Sequence, residues 1–423
     1  KRSEHNERGA DALHGSGGPL NVMDLRSPNP VALAFVEAGV QAGYTRNPDF
    51  NGERQEGFGM YQVTHRNGER FSAAKAYLTP HLRRPNLQVI TDACTTRILL
   101  EGRRAVGIEY RQGGQLHQLH AGREVLLSAG ALHSPQLLML SGIGPAPQLQ
   151  AHGIAVAHDL PGVGCNLHDH PDVIQIVEAP HLTALFGLSH RNAAALVGSI
   201  FEWRRRRTGR LTTNFAEAGA FIRSSPQVAR PDLQLHFVIG KLVDHGRKTT
   251  FGLGYSCHVC LLRPDSRGSV RLASSDPMAA PLIDPNFLGE PSDLERLVRG
   301  FKLTRNVLTQ PALAAISGRE LPDSAAARSD EQIEQFVRAH ADTIYHPVGT
   351  CRMGNGPGDV VDAQLRVRGI EALRVVDGSI MPRLVCGNTN APIIMIAEKA
   401  ADMIKGARRA APDEAQRRES VPA

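Results

Sequence analysis

The spacing of apolar residues predicts several helices along the chain. Residues 29–43, NPVALAFVEAGVQAG, show the three- and four-residue apolar spacing of a helix after a Ser-Pro-Asn-Pro start. Residues 67–86 are interpreted as a second helix that ends at prolines. Residues 292–308, SDLERLVRGFKLTRNVL, predict a long helix, and Ser292 followed by acidic residues predicts a capping box at its start.

Other segments have the pattern of short strands. Residues 87–129 alternate short apolar runs with turn residues, which predicts a meander of strands. A strand pair is predicted at 365–380, and its apolar part should join the same sheet as residues 123–129. The last predicted helix, at 389–407, has Gly406 at its end.

Composition and charge narrow the classes of function. Of the 423 residues, 41% are hydrophobic and 21% are charged, which is typical of a globular protein. The formal net charge of +6 is spread along the chain, and no basic stripe alternates with aromatic residues. We therefore expect no nucleic-acid partner.

Cysteine usage and the two histidine- or cysteine-rich motifs indicate no metal site. Six scattered cysteines are too few for a disulfide framework and indicate a reducing, cytoplasmic compartment. The C-x-x-C motif at 257–260 lacks a second ligand pair at zinc spacing. In NLHDHP, residues 166–171, the histidines lie two residues apart in a loop, which converges poorly on a metal.

Residues 201–210, FEWRRRRTGR, admit two interpretations. Trp203 and the arginines after it could contact an anionic membrane surface from the cytoplasmic side. The same pattern is typical of a solvated helix end. No signal peptide or membrane-spanning segment is visible in the sequence.

Four stretches carry a family resemblance: GALHSPQLLMLSGIG (130–144), LPGVGCNLHDHP (160–171), YHPVGTCRMG (345–354) and VVDGSIMPRLVCGNTNAPIIMIAEKAADMI (375–404). In this order the chain resembles the glucose–methanol–choline oxidoreductases, flavin enzymes that oxidise alcohols. It is most similar to their bacterial alcohol and choline dehydrogenase branch.

The resemblance implies a mixed α/β fold, with an incomplete Rossmann-like FAD-binding domain and an antiparallel-sheet substrate domain. The expected divisions are a helical, loop-rich N-terminal part at 1–85, an FAD-domain portion at 86–170, a substrate-binding domain at 171–345, a return to the FAD domain at 346–406 and a disordered tail at 407–423.

Alcohol oxidation removes a proton from oxygen and a hydride from carbon. No side chain can accept the hydride, so the reaction needs a hydride-accepting cofactor, and the resemblance implies that this is the flavin of FAD. The proton needs a base near neutral pKa, and histidine meets this requirement. By resemblance, His346 is that catalytic base, and Asn388 is its partner that orients the substrate oxygen.

The resemblance also implies which residues approach FAD. Asp377 and Gly378 follow a predicted strand. The sequence Asn390-Ala391-Pro392 opens the last helix, whose N-terminus presents free N–H groups. By resemblance, Thr95 lies where the family's backbone contacts the adenine of FAD. Only its main chain would then take part in binding.

The substrate is expected to be a primary alcohol, aliphatic or aromatic, with choline as the alternative. Glu217, in NFAEAGAF, lies in the stretch where choline-oxidising relatives hold the substrate's cation with a carboxylate. A structural pairing of this carboxylate is an equal alternative. The electron acceptor cannot be read from the sequence.

The dinucleotide-binding fingerprint G-x-G-x-x-G is absent from the sequence between a strand and a helix. By resemblance, the chain therefore corresponds to a family member that lacks its N-terminal FAD clamp. A rival interpretation follows, in which the chain is a non-catalytic remnant that binds no FAD and has no activity alone.

Overall fold

The computed structural model describes residues 1–248 and 250–410. The chain divides into two compact units. The first unit comprises Lys1–Ile90, Asp169–Ser266 and Phe287–Tyr345. The second unit comprises Thr91–His168, Arg267–Asn286 and the chain from His346 onward.

Helices occur in both units. In chain order they are α1 Pro30–Gln41, α2 Gly130–Leu140, α3 Ala146–Ala151, α4 His190–Arg206, α5 Pro291–Leu308, α6 Pro311–Ala314, α7 Pro322–Ala326, α8 Asp330–His340 and α9 Asn390–Ala410.

The strands are mostly short. In chain order they are β1 Glu4–Asn6, β2 Leu20–Val22, β3 Gly57–Met60, β4 His65–Arg66, β5 Glu69–Arg70, β6 Ala93–Glu101, β7 Arg104–Gln112, β8 Gln115–His120, β9 Val125–Leu127, β10 Ile143–Gly144, β11 His158–Asp159, β12 Pro171–Glu178, β13 Ala216–Ile222, β14 Leu233–Val238, β15 Gly254–Leu261, β16 Ser269–Arg271, β17 Leu282–Asp284, β18 Asp342–Thr343 and β19 Leu373–Val375.

The first unit is built on a six-stranded antiparallel sheet with the order β18-β12-β15-β14-β13-β3. One face of this sheet packs on α1, α5 and α8 through an apolar core. The rings of Phe35 in α1 and Phe237 in β14 stack with centroids 4.5 Å apart. Because side chains alternate along a strand, the opposite face carries buried polar residues, among them Asp172 and His258.

Helix starts in the first unit differ from the sequence expectation. The predicted capping box at Ser292 is wrong, because α5 begins at Pro291 and its N-cap residue makes no side-chain capping bond. The Ser292 hydroxyl instead donates to Asp265. A complete capping box is present at α8, where Ser329 and Gln332 cap each other's backbone.

The predicted helix over 67–86 is also wrong. This segment contains β5, which pairs with β4 just before it, a five-residue π-helical turn at Ala74–Leu78 and a 3-10 turn at Thr79–His81. The prolines and the polar composition leave too few apolar positions to hold a longer helix against a core.

The second unit contains the predicted meander and a parallel strand pair. Strands β6, β7 and β8 form a three-stranded antiparallel sheet, as the sequence predicts. Strands β9 and β19 pair in parallel, with Leu126 opposite Arg374. The prediction that these two distant segments share a sheet is confirmed, and with it the mixed α/β class.

The last helix extends past its predicted end. Helix α9 continues to Ala410, four residues beyond Gly406. The rest of the predicted tail, residues 411–423, lies outside the described residues. Among the helices of the described chain, none has both the length and the apolar character needed to cross a bilayer.

Candidate active site

The loop that carries His346 is tied to two other segments of the second unit. Val348 and His168 exchange backbone hydrogen bonds of 2.9 and 3.0 Å. Farther along, the Cys351 N–H donates to the Ser379 carbonyl at 2.9 Å. Pro347 also restricts His346 to extended backbone geometry. The chain immediately after His346 is therefore fixed at two points.

His346 and Asn388 lie side by side in the second unit. The Asn388 Nδ2 atom is 3.2 Å from the His346 Nε2 atom, although 42 residues separate them in the chain. The predicted proximity is confirmed, and the catalytic roles of both residues stay predictions. The His346 residue is 8% exposed, and Asn388 lies two residues before α9.

Burial sets the protonation state of His346. Because burial disfavours the charged imidazolium, it lowers the pKa of His346 to about 4. The ring is therefore neutral at neutral pH. An amide nitrogen is only a donor, so Nε2 is the acceptor in this contact and Nδ1 carries the ring proton. A hydroxyl that displaced the amide from this contact could donate to the same Nε2 lone pair.

Asp377 connects the start of α2 to the chain that follows β19. Its Oδ2 atom accepts hydrogen bonds from the Gly130 N–H at 2.9 Å and the Ser134 hydroxyl at 2.5 Å. Its Oδ1 atom accepts from the Ser379 N–H at 2.8 Å. Sequence reasoning had missed Gly130 and Ser134 as partners, although both lie in the first signature stretch.

Glu217 is held by internal hydrogen bonds in the first unit. Its two oxygens accept from the Asn29 backbone N–H at 2.6 Å and the Thr213 hydroxyl at 2.5 Å. The residue is 1% exposed, and burial raises its pKa. These contacts give Glu217 a structural role at the start of α1, and its role toward substrate stays a prediction.

The two motifs weighed for metal binding are engaged differently. Cys257 and Cys260 lie three residues apart on β15, so their side chains point to opposite faces of the sheet. The His168 Nδ1 atom lies 2.8 Å from the Asn166 carbonyl, and Asp169 accepts a bond from the Thr343 hydroxyl. Among the described residues, the only group placed to hold a metal ion is Asp172, His245 and His258, which includes neither the two cysteines nor His168.

Two profiles described as GMC oxidoreductase match the chain, one over residues 3–172 and the other over residues 264–397. Together they cover more than half of the sequence, including His346 and Asp377. The chain belongs to the GMC oxidoreductase family. GMC oxidoreductases act on CH–OH groups and are FAD-dependent flavoproteins.

Individual GMC relatives are similar over nearly the whole chain. Alcohol dehydrogenase [acceptor] of Pseudomonas putida is 48% identical over 410 residues, which cover 96% of this chain and 74% of the relative. The mitochondrial choline dehydrogenase of Homo sapiens is 46% identical, covering 96% of this chain and 68% of the relative. The crystal structure of pyridoxine 4-oxidase from Mesorbium loti superposes with a TM-score of 0.82 at 31% identity, covering 95% and 75%.

The second unit presents polar groups that fit the FAD of this family. The Ser379 hydroxyl and the His168 Nε2 atom are buried and have no hydrogen-bond partner among the described residues. Gly378 lies close to its neighbours, since a Cβ there would be 3.3 Å from the Ile393 Cδ1 atom. Buried polar atoms beside a tight glycine turn suit a large polar ligand, which would supply their missing bonds.

The predicted FAD contacts all lie in this unit. Asn390, Ala391 and Pro392 form the first turn of α9, where backbone N–H groups have no partner within the helix. Thr95 is half-buried on β6, next to an irregularity in its pairing with β7. We expect these segments and Gly378 to hold FAD.

Proposed function

We propose that this chain oxidises a primary alcohol, aliphatic or aromatic, to the aldehyde, with His346 as the base. The observation that supports the proposal is the 3.2 Å contact between the His346 Nε2 and Asn388 Nδ2 atoms. A hydroxyl oxygen that displaces this direct contact and lies beside both atoms would accept a hydrogen bond from the amide. It would also donate its own proton toward Nε2.

In this arrangement the two side chains divide the work on the substrate oxygen. Asn388 donates to the oxygen before and after deprotonation, so it orients the alcohol and stabilises the developing alkoxide. His346 takes the hydroxyl proton at Nε2 as the alkoxide forms. FAD, when bound, supplies the acceptor for the hydride that leaves the carbon.

The proposal is tested with the full chain, FAD and an artificial electron acceptor. We expect oxidation of primary alcohols at rates that depend on chain length or ring size. The rival, a non-catalytic remnant, predicts a colourless protein without turnover. A visible spectrum after removal of free FAD separates the two, because tightly bound oxidised flavin absorbs blue light and a remnant does not.

Choline is the alternative substrate, and its cation would be held by Glu217. A Glu217→Gln variant tests this. If the carboxylate binds the cation, the KM for choline rises while the KM for butanol stays unchanged. An equal loss with both substrates identifies the structural role set by the Asn29 and Thr213 contacts. Glu53→Gln, at an exposed position, is the matched control.

We further propose that the protein is cytoplasmic and contacts the inner face of the membrane through α4. The contact would be peripheral. Four apolar residues on this helix are 40–68% exposed, and three arginines occupy its last turn. The exposed apolar residues are Leu196, Val197, Ile200 and Phe201. Apolar side chains beside a basic helix end suit an anionic lipid surface.

Trp203 is not the expected anchor of this surface. Its indole N–H donates to the Gly68 carbonyl at 2.8 Å, and the Arg207 guanidinium lies 4.1 Å from its ring. Phe201, 68% exposed, is the better candidate. Co-sedimentation with vesicles rich in anionic lipid should fall in Phe201→Ser and persist in Leu119→Ser, an exposed apolar control. Equal binding by both variants would contradict the proposal.

A further inference from the structure

Three buried side chains converge on the polar face of the first unit's sheet. The Asp172 Oδ2 atom is 2.5 Å from the His258 Nδ1 atom, and the Asp172 Oδ1 atom is 3.7 Å from the His245 Nδ1 atom. One ligand atom from each residue lies within 4.8 Å of those of the other two. Their side chains are 0–5% exposed.

Sheet register places two of the three groups together. Strands β12 and β15 are antiparallel, with Ile174 opposite His258 and Asp172 opposite Cys260. Asp172 and His258 are therefore diagonal neighbours on one face, close enough for their side chains to meet. Their approach follows from strand pairing, although 86 residues separate them.

The third group comes from a strained turn. Asp244 and His245 have φ values of 52° and 51°, in the left-handed region that residues other than glycine seldom adopt. Two consecutive left-handed residues bring the His245 ring toward Asp172. Such backbone strain outside glycine often accompanies functional sites.

Each of the three side chains has an unsatisfied buried atom. The Asp172 Oδ1, His245 Nδ1 and His258 Nε2 atoms have no hydrogen-bond partner among the described residues. A simple Asp172–His258 pair would account only for the 2.5 Å contact. Polar atoms buried without partners are rare in native proteins. The cluster therefore indicates a further bound group that contacts these atoms.

We propose that Asp172, His245 and His258 form a binding site for a divalent transition-metal ion, with Zn²⁺ as the best match. Two imidazoles and one carboxylate are a common ligand set for zinc and for non-haem iron. Ligand atoms about 2.0–2.2 Å from zinc lie roughly 3.3 Å from one another. The 3.7 Å distance between His245 Nδ1 and Asp172 Oδ1 is near that value. The 2.5 Å contact between His258 Nδ1 and Asp172 Oδ2 is a hydrogen bond, and an ion bound at Nδ1 would replace its proton.

Neighbouring residues fit the needs of such a site. The Asp342 Oδ2 atom accepts a hydrogen bond from the Arg247 guanidinium and lies 3.9 Å from the His245 Nε2 atom, on the far side of the ring from Asp172. If it moved within hydrogen-bond distance of Nε2, this carboxylate would orient a metal-bound His245 and fix its tautomer. A cavity of about 200 Å³ borders His245 and Asp342, so one of the three ligands is next to open space.

The prediction from sequence was that the chain has no metal site, and it considered His258 only inside the C-x-x-C motif. The two cysteines of that motif point to opposite faces of the sheet, whereas His258 faces Asp172. The ligands come from two strands and a turn that are far apart in sequence, so no spacing rule could group them.

Equilibrium dialysis of the full chain against Zn²⁺, after treatment with a chelator, tests the proposal. We expect one zinc ion per wild-type chain by elemental analysis. The variants His245→Gln and His258→Gln should lose this ion, and His181→Gln, at an exposed histidine, should keep it. Asp342→Asn should weaken zinc affinity by about 10–100-fold, as expected for a residue that orients a ligand.

Measurements on the wild-type chain keep the test independent of how the variants fold. Zinc should raise the thermal midpoint of unfolding, because an ion that binds only the folded state stabilises it. Co²⁺ should give the d–d absorption of a bound nitrogen and oxygen site. A folded wild-type chain that retains no zinc, or the same zinc content in wild type, His245→Gln and His258→Gln, would overturn the proposal. None of these readouts depends on alcohol oxidation.

Discussion

The side-chain amide of Asn388 lies 3.2 Å from the Nε2 atom of His346. The amide donates and the imidazole accepts, so His346, the proposed base, is held in the tautomer that leaves Nε2 unprotonated. Under the proposed function, a substrate hydroxyl would displace this contact, accept from Asn388 and donate to His346.

Replacing Asn388 should slow the reaction without removing the cofactor. Asn388→Ala deletes one donor to the developing alkoxide, which typically lowers kcat about 10²–10³-fold. Asn388→His keeps a donor at the position and should lose less. Steady-state kinetics and FAD content measured on both variants check this. Wild-type kcat in Asn388→Ala would show that the amide does not contact the substrate oxygen.

The pH dependence of kcat/KM should reflect the lowered pKa of His346. Only the neutral imidazole can accept the hydroxyl proton, and burial lowers its pKa to about 4. The acid limb of the profile should therefore lie near pH 4, well below the value of about 6.5 for an ordinary histidine. A limb with its midpoint near the ordinary value would contradict a buried neutral base.

The lowered pKa of His346 also makes the stability of the folded chain depend on pH. An unfolded chain protonates this histidine near pH 6.5, whereas the folded chain resists protonation until about pH 4. The free energy of unfolding is therefore highest above about pH 6.5 and decreases as the pH falls from about 6.5 to about 4. Urea unfolding of wild type and His346→Gln should show a smaller acid loss in the variant. Parallel pH profiles would argue against burial of the neutral ring.

Removing the Asp377 carboxylate should destabilise the second unit and lower its FAD content. Asp377→Ala leaves three donors without their acceptor: the N–H groups of Gly130 and Ser379 and the Ser134 hydroxyl. Each buried donor left unpaired costs about 1–3 kcal/mol. Ser134→Ala keeps the two backbone bonds and should fall between wild type and Asp377→Ala in chemical unfolding. Equal stability of all three proteins would exclude this role.

Local sequence signals predicted the regular parts of the fold. The meander over 87–129 follows from alternating apolar runs, and the pairing of β9 with β19 agrees with their apolar character. The proximity of His346 and Asn388 came from family resemblance rather than from spacing. No physical rule that reads the sequence alone connects residues 42 positions apart.

Failures arose where tertiary contacts override local patterns. Ser292 has the sequence of a capping residue, but Pro291 starts the helix and the Ser292 hydroxyl bonds to Asp265. The cluster of Asp172, His245 and His258 depends on strand register and on a left-handed turn. Both features are set by the folded chain, so the sequence carries no short-range signal for them.

The most direct test of the account is the rate of flavin reduction in a single anaerobic turnover with a primary alcohol. Wild type and His346→Gln are each loaded with FAD and mixed with substrate, and the loss of blue absorbance is followed in time. His120→Gln, at an exposed histidine of the same unit, is the matched control. The account predicts that His346→Gln retains its FAD but reduces it about 10²–10⁴-fold more slowly, the usual effect of losing a general base. Flavin reduction at the wild-type rate in His346→Gln would contradict the assignment of His346 as the base.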